Sequence, residues 1–187
     1  MFPTQLKHLR PFSKMKNKNI HKTAEIEKNI IIGENTKIWH YAHVREGTKI
    51  GANCILGKNV YIDFECVIGD NCKIQNNSSI YHKTIIEDGV FIGPHVIITN
   101  DKNPRAIDSK GNLKSAKDWK SGSVYIKYGA SIGAGSIILP DITIGKFAMI
   151  GAGSVVTNNV PDFALVYGNP AKVHGKVDKN GTISKKI

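Results

Sequence analysis

Three cysteines, 7 % aromatic residues and no apolar run near the 18 residues a membrane-spanning helix needs set the first limits on this 187-residue chain. An odd handful of thiols cannot build a fully paired disulfide framework, so a cytoplasmic protein without a membrane partner is expected. Acids are scarce at both ends. Residues 1–19 hold Lys7, Arg10, Lys14, Lys16 and Lys18 with no acid, and residues 172–187 hold five lysines against Asp178, which together supply nine of the eleven net positive charges. Nearly balanced charge in between leaves no folded basic face, and no nucleic-acid partner is expected.

Residues 1–14 lack hydrophobic periodicity and contain Pro3 and Pro11, so an unstructured extension is expected there. The stretch has no apolar core for a secretory signal, and Arg10 is its only arginine, which argues against a transit peptide.

Beyond Met15 a repeat takes over. A branched aliphatic residue recurs every six positions from Ile20 through Ile26, Ile32, Ile38, Val44 and onward to Ile98, then again from Ile126 to Val156. Fourteen uninterrupted matches have a chance probability on the order of 10⁻⁸, so the spacing is structural. Four residues after most anchors stands a small or β-branched residue, among them Thr36, Ala42, Thr48, Cys54, Cys66, Cys72, Ser78 and Ser136. A period of six is neither the 3.6 of a helix nor the two of a simple strand. It predicts a parallel β-solenoid of short strands and tight corners, with both columns pointing inward and the three thiols buried as compact hydrophobes.

One break interrupts the pattern. The interval from Ile98 to Ile126 is 28 residues, so a 22-residue excursion is expected, placed over 104–125 and carrying Trp119. The expected organisation is therefore a β-helix over 15–160 with that inserted loop, and a C-terminal segment with a basic tail over 161–187.

The repeat resembles the left-handed parallel β-helix of hexapeptide-repeat acyltransferases, an all-β fold in which three hexapeptides make one triangular coil of 18 residues. Within it, Ile38-Trp39-His40, Gln75-Asn76-Asn77, Thr99-Asn100, Asn103-Pro104-Arg105-Ala106, Gly151-Ala152-Gly153-Ser154 and Gly168-Asn169-Pro170-Ala171-Lys172 resemble the nucleotide-sugar N-acetyltransferase branch. The resemblance implies acetyl-CoA as cosubstrate, no metal, and a homotrimer with sites in the clefts between solenoids. Its acceptor would be the 3-amino group of UDP-2-acetamido-3-amino-2,3-dideoxyglucuronate. Asp101 after Asn100 instead resembles relatives acting on dTDP-3-amino-3,6-dideoxyhexoses.

With 18-residue coils, two outer columns stand out. One stacks His82 under Asn100; the other runs His40, Lys58, Asn76, Pro94, Ala134, Ala152, flanked by Tyr41, Asn59, Asn77, His95, Gly135, Gly153. Related sugar O-acetyltransferases place a histidine base in the loop, whereas Thr99-Asn100-Asp101 has none. A neutral amine is already nucleophilic at pH 7–8, so Asn100 is expected to orient it, with His82 as the candidate base. His40, Lys58, Asn59, Asn76, Asn77 and Arg105 are expected to bind the nucleotide sugar, Arg105 through its planar fork. Ala134, Gly135, Ala152 and Gly153 form a small-residue strip for the pantetheine arm, a backbone N–H near Ala134 would face the developing oxyanion, and Lys172 would meet a CoA phosphate.

Two rivals from other classes are a γ-carbonic-anhydrase-like zinc enzyme and a non-catalytic scaffold. The first requires two histidines five residues apart, a spacing absent from His8, His21, His40, His43, His82, His95 and His174. The second predicts no binding of CoA.

Overall fold

A computed structural model describes residues 19–186; the expected extension over 1–14 lies outside them. Almost every strand is two or three residues long, because each hexapeptide supplies one extended pair before the chain turns. The strands collect into three sheets that form the faces of a triangular prism of about eight coils, a left-handed parallel β-helix. The first face runs from Ile31–Ile32 to Ile142–Ile144, the second begins with Lys37–Ile38, and the third runs from Glu25–Ile26 to Val155–Val156.

Register is 18 residues per coil: Lys37 faces Ile55, Ser79 faces Ile97, and Ile50 faces Ile68. Across the excursion the offset grows to 40, with Thr84 opposite Val124 and Ile86 opposite Ile126, so 22 residues leave the solenoid. The anchors are sealed, Ile32, Ile50, Ile68 and Ile98 all having no exposed surface.

The small column does more than fit. Thr36 Oγ1 donates to Gly51 O at 2.7 Å, Thr48 Oγ1 to Asp63 O at 2.8 Å and Ser78 Oγ to Gly93 O at 2.8 Å, each reaching into the coil above. Cys54 and Cys72 make the weaker thiol version to Gly69 O and Glu87 O. These inward groups satisfy corner carbonyls that no strand ladder serves. Burial pushes the Cys66 thiol up to about 12.

Two expected boundaries change. Asp101 pairs antiparallel with Ser121, and Asn100 O accepts the Gly122 N–H at 2.7 Å, so the excursion runs from 101 to 122 instead of 104 to 125. Anchor counting fixes a loop's length but not its exit, and Val124–Ile126 is a strand of the first face. At the C-terminus, Ala164–Gly168 adds in parallel to Met149–Ile150; Ala171–Val177 and Ile183–Lys186 then fold back antiparallel and prolong the second face.

Candidate active site

Each coil turns three corners, and the two expected columns occupy different ones. The column His82, Asn100, Pro140 lies where the third face passes into the first. The column His40 to Ala152 lies where the second passes into the third. One whole sheet separates them, so a single chain does not bring these residues into one site.

At the first of these corners the excursion leaves the solenoid. Asn100, half-buried, sits at its root, and its Nδ2 is the one buried side-chain nitrogen or oxygen without a hydrogen-bond partner among the described residues. A buried orphan amide costs about 1–3 kcal/mol, which makes it a marker for a ligand contact. His82, one coil below, was expected on an outer face but is 8 % exposed. Its Nδ1 lies 3.1 Å from Phe64 O, its ring stacks on Phe64 at 3.9 Å, and the excursion's Trp119 packs 5.9 Å away. A carbonyl only accepts, so Nδ1 carries a hydrogen, and in the neutral imidazole the lone pair then lies on Nε2. A cavity of about 270 Å³ opens on the same corner, bordered by Asp101, Lys102, Leu139, Pro140 and Asn158.

The neighbouring corner is exposed and ordered by a polar ladder. Asn59 Nδ2 donates to Asn77 Oδ1 at 3.0 Å, Asn77 Nδ2 meets His95 Nε2 at 3.3 Å, and Asn76 Oδ1 accepts the Lys58 N–H at 2.8 Å. Part of the polarity expected for substrate is therefore spent on stacking coils. Gly57 leaves room for the coil above, since a Cβ there would stand 2.4 Å from Asn76 Oδ1 and 2.7 Å from the Asn76 main-chain nitrogen. His40 stacks on His21 at 3.5 Å, beside exposed Trp39 and Tyr41.

Higher in that column the side chains vanish. Gly135 and Gly153 have φ of 68° and 69°, yet Tyr41, Asn59, Asn77 and His95 hold the same left-handed backbone at 57–61°. Glycine is not demanded by the turn, and a Cβ at either position would meet nothing within 4 Å. With exposed Ala134 and Ala152 alongside, these glycines leave an open strip of bare backbone.

Arg105 is exposed on the excursion, its guanidinium bonded to Pro104 O at 3.1 Å, and no interaction ties it to Asn100 or His82. Lys172 is exposed in Ala171–Val177, opposite Tyr167, whose ring stacks on His174 at 3.7 Å. No group of three His, Cys, Asp or Glu side chains suited to a metal occurs among the described residues.

The sequence matches the bacterial transferase hexapeptide family over residues 17–63 and 65–100, and the hexapeptide repeat of succinyl-transferase over 47–82 and 128–158. The chain belongs to the hexapeptide-repeat transferase family. Among its relatives is the dTDP-3-amino-3,6-dideoxy-α-D-galactopyranose 3-N-acetyltransferase of Aneurinibacillus thermoaerophilus, 57 % identical over 56 residues, 30 % of this chain and 29 % of the relative. A galactoside O-acetyltransferase of Lactococcus lactis is 31 % identical over 139 residues, 70 % of this chain and 64 % of the relative. The chain thus spans less than two thirds of either. The GDP-perosamine N-acetyl transferase of Caulobacter crescentus, solved with CoA and GDP-perosamine, shares the fold at TM-score 0.58 and 22 % identity, over 84 % of this chain and 56 % of that one. The acetyltransferase domain of PglB from Neisseria gonorrhoeae, solved with acetyl coenzyme A, does so at 0.53 and 21 %, over 82 % and 56 %.

Sequence reasoning missed the residues beneath His82. Asp63, 5 % exposed, takes Arg45 Nη1 at 2.8 Å, the Tyr61 hydroxyl at 3.0 Å, and the N–H groups of Phe64 and His82. The signal was available, since Arg45 and Asp63, like Phe64 and His82, are 18 residues apart.

Proposed function

We propose that this hexapeptide-repeat transferase moves the acetyl group of acetyl-CoA to the amino group of a nucleotide-linked amino sugar, in sites shared between two chains of a homotrimer. The observation that carries the proposal is the buried, unpaired side-chain nitrogen Nδ2 of Asn100 at the root of the excursion, in a loop that supplies no histidine. Asn100 Oδ1 accepts an N–H of the sugar amine and leaves its lone pair directed outward, while Nδ2 donates to an acceptor oxygen of the incoming substrate.

The thioester supplies an activated acyl carbon. The amine nitrogen bonds to that carbon, the carbon–sulfur bond breaks, and sulfur leaves with its electron pair. His82 Nε2 takes the amine proton. The Gly135 N–H is committed to Pro94 O and the Ser136 N–H to Gly133 O, so the Ala134 amide is the turn donor assigned to the developing oxyanion. Gly135, Ala152 and Gly153 from a second chain provide the strip for the pantetheine arm, and Lys172 the phosphate contact.

Between the two expected acceptors, a dTDP-3-amino-3,6-dideoxyhexose is favoured by the 57 % identity to an enzyme named for such a sugar and by Asp101 after Asn100. The UDP-linked aminouronate rests on Asn76, already bonded to Lys58, and on Arg105, which reaches only its own loop. Asn100→Ala is expected to lower kcat roughly 100-fold with the KM for acetyl-CoA unchanged. A variant that loses both equally would contradict the assigned role.

A further inference from the structure

His82 is held from two directions. From the solenoid, Phe64 O fixes the Nδ1 hydrogen and the Phe64 ring stacks on the imidazole at 3.9 Å and 17°. That ring is itself backed by the Arg45 guanidinium, 5.2 Å from its centroid, which Asp63 anchors at 2.8 Å. The second aromatic contact comes from outside the solenoid, from Trp119, whose ring lies 5.9 Å from His82 at 43°.

Trp119 is half-buried although it belongs to an excursion whose neighbours Lys117, Asp118 and Lys120 are exposed. The local chain is built to present it. Ser115 and Asp118 cap the 3-10 turn Ala116–Asp118 reciprocally, and just beyond Trp119 the chain is pinned by the Asp101–Ser121 pairing and by Lys83 Nζ donating to Ser121 O at 3.4 Å.

We propose that Trp119 is a positioning residue for His82. Its indole holds the imidazole with Nε2 toward the amine carried by Asn100, so the proton acceptor is assembled only when the excursion is seated on the solenoid. This rests on the reading of His82 as proton acceptor. It adds that the loop contributes an aromatic brace and acts through the imidazole, not through the substrate.

A double-mutant cycle in the full chain tests it, with thiol release from acetyl-CoA as the assay. Trp119→Ala is expected to lower kcat about 10- to 100-fold with unchanged KM for acetyl-CoA and unchanged melting temperature, and Trp119→Phe to restore most of it. In a His82→Gln background, Trp119→Ala is expected to cost nothing further. An equal further loss there, or a loss in Trp119→Phe as deep as in Trp119→Ala, would overturn the role of Trp119 alone. Wild-type turnover in His82→Gln would instead overturn the proton acceptor itself, and the brace with it.

A second readout needs no turnover. The chain has two tryptophans, so Trp39→Phe leaves Trp119 as the only indole. Acrylamide quenching of its emission is expected to rise when His82→Ala is added, and an unchanged quenching constant would overturn the contact.

Discussion

The carboxylate of Asp63 accepts the main-chain N–H of His82 from the coil above, at 3.2 Å, while its other oxygen holds Arg45 from the coil below at 2.8 Å. One buried acid therefore ties three successive coils at the corner where the excursion leaves. Removing it strands two main-chain donors and uncouples Arg45 from the Phe64 ring. Asp63→Ala is expected to destabilise the fold by about 2–4 kcal/mol in urea unfolding, and Asp63→Asn by less, because the carboxamide oxygen still accepts. Equal, negligible losses would show that the cluster holds nothing.

Acid sensitivity has a local source one coil lower. Glu27 accepts the Glu46 N–H at 3.0 Å and meets His43 Nε2 at 2.9 Å, with Arg45 Nε 3.6 Å away, and these contacts hold its carboxyl below the ordinary value. A carboxyl depressed on folding contributes stability that is present above its unfolded pKa and lost as pH falls through the folded one. Glu27→Gln is accordingly expected to flatten the loss of stability below the ordinary glutamate range. A parallel pH profile for both proteins would contradict this.

Separation of the two columns by a full sheet makes a subunit test possible. Asn59 and Asn77 hold the left-handed backbone of Gly153 in the same column, so Gly153→Asn fills the strip with the residue type that tolerates this turn best after glycine. Chains carrying Asn100→Ala and chains carrying Gly153→Asn are each expected to be inactive alone. Co-expressed, they should recover activity at the sites pairing one intact corner with the other. No recovery, with mixed oligomers demonstrated by differential tags, would contradict a shared site.

The fold was legible because solenoid packing repeats: one sealed anchor per hexapeptide, from Ile32 to Val156, leaves a period that survives without any alignment. The same regularity placed Asn100 above His82 and exposed Gly135 and Gly153. What it did not give was burial. His82 reads as an outer-corner residue, yet Phe64 below and Trp119 from the excursion cover it. Trp119 lies in the excursion, which interrupts the repeat, so its return to the solenoid has no period to betray it. The exit at Asp101 was equally hidden, being set by an antiparallel pairing with Ser121 that spacing cannot encode.

The most direct test of N-acetyl transfer is thiol release from acetyl-CoA by the purified chain. A dTDP-3-amino-3,6-dideoxyhexose and UDP-2-acetamido-3-amino-2,3-dideoxyglucuronate would be supplied as acceptors in parallel. Release that depends on the amino sugar, fastest with the dTDP compound, is the predicted result, together with a melting temperature raised by acetyl-CoA. Release with the uronate alone would keep the chemistry and replace the acceptor. No release with either, and no thermal shift with acetyl-CoA, would contradict the enzyme and leave a β-helical scaffold.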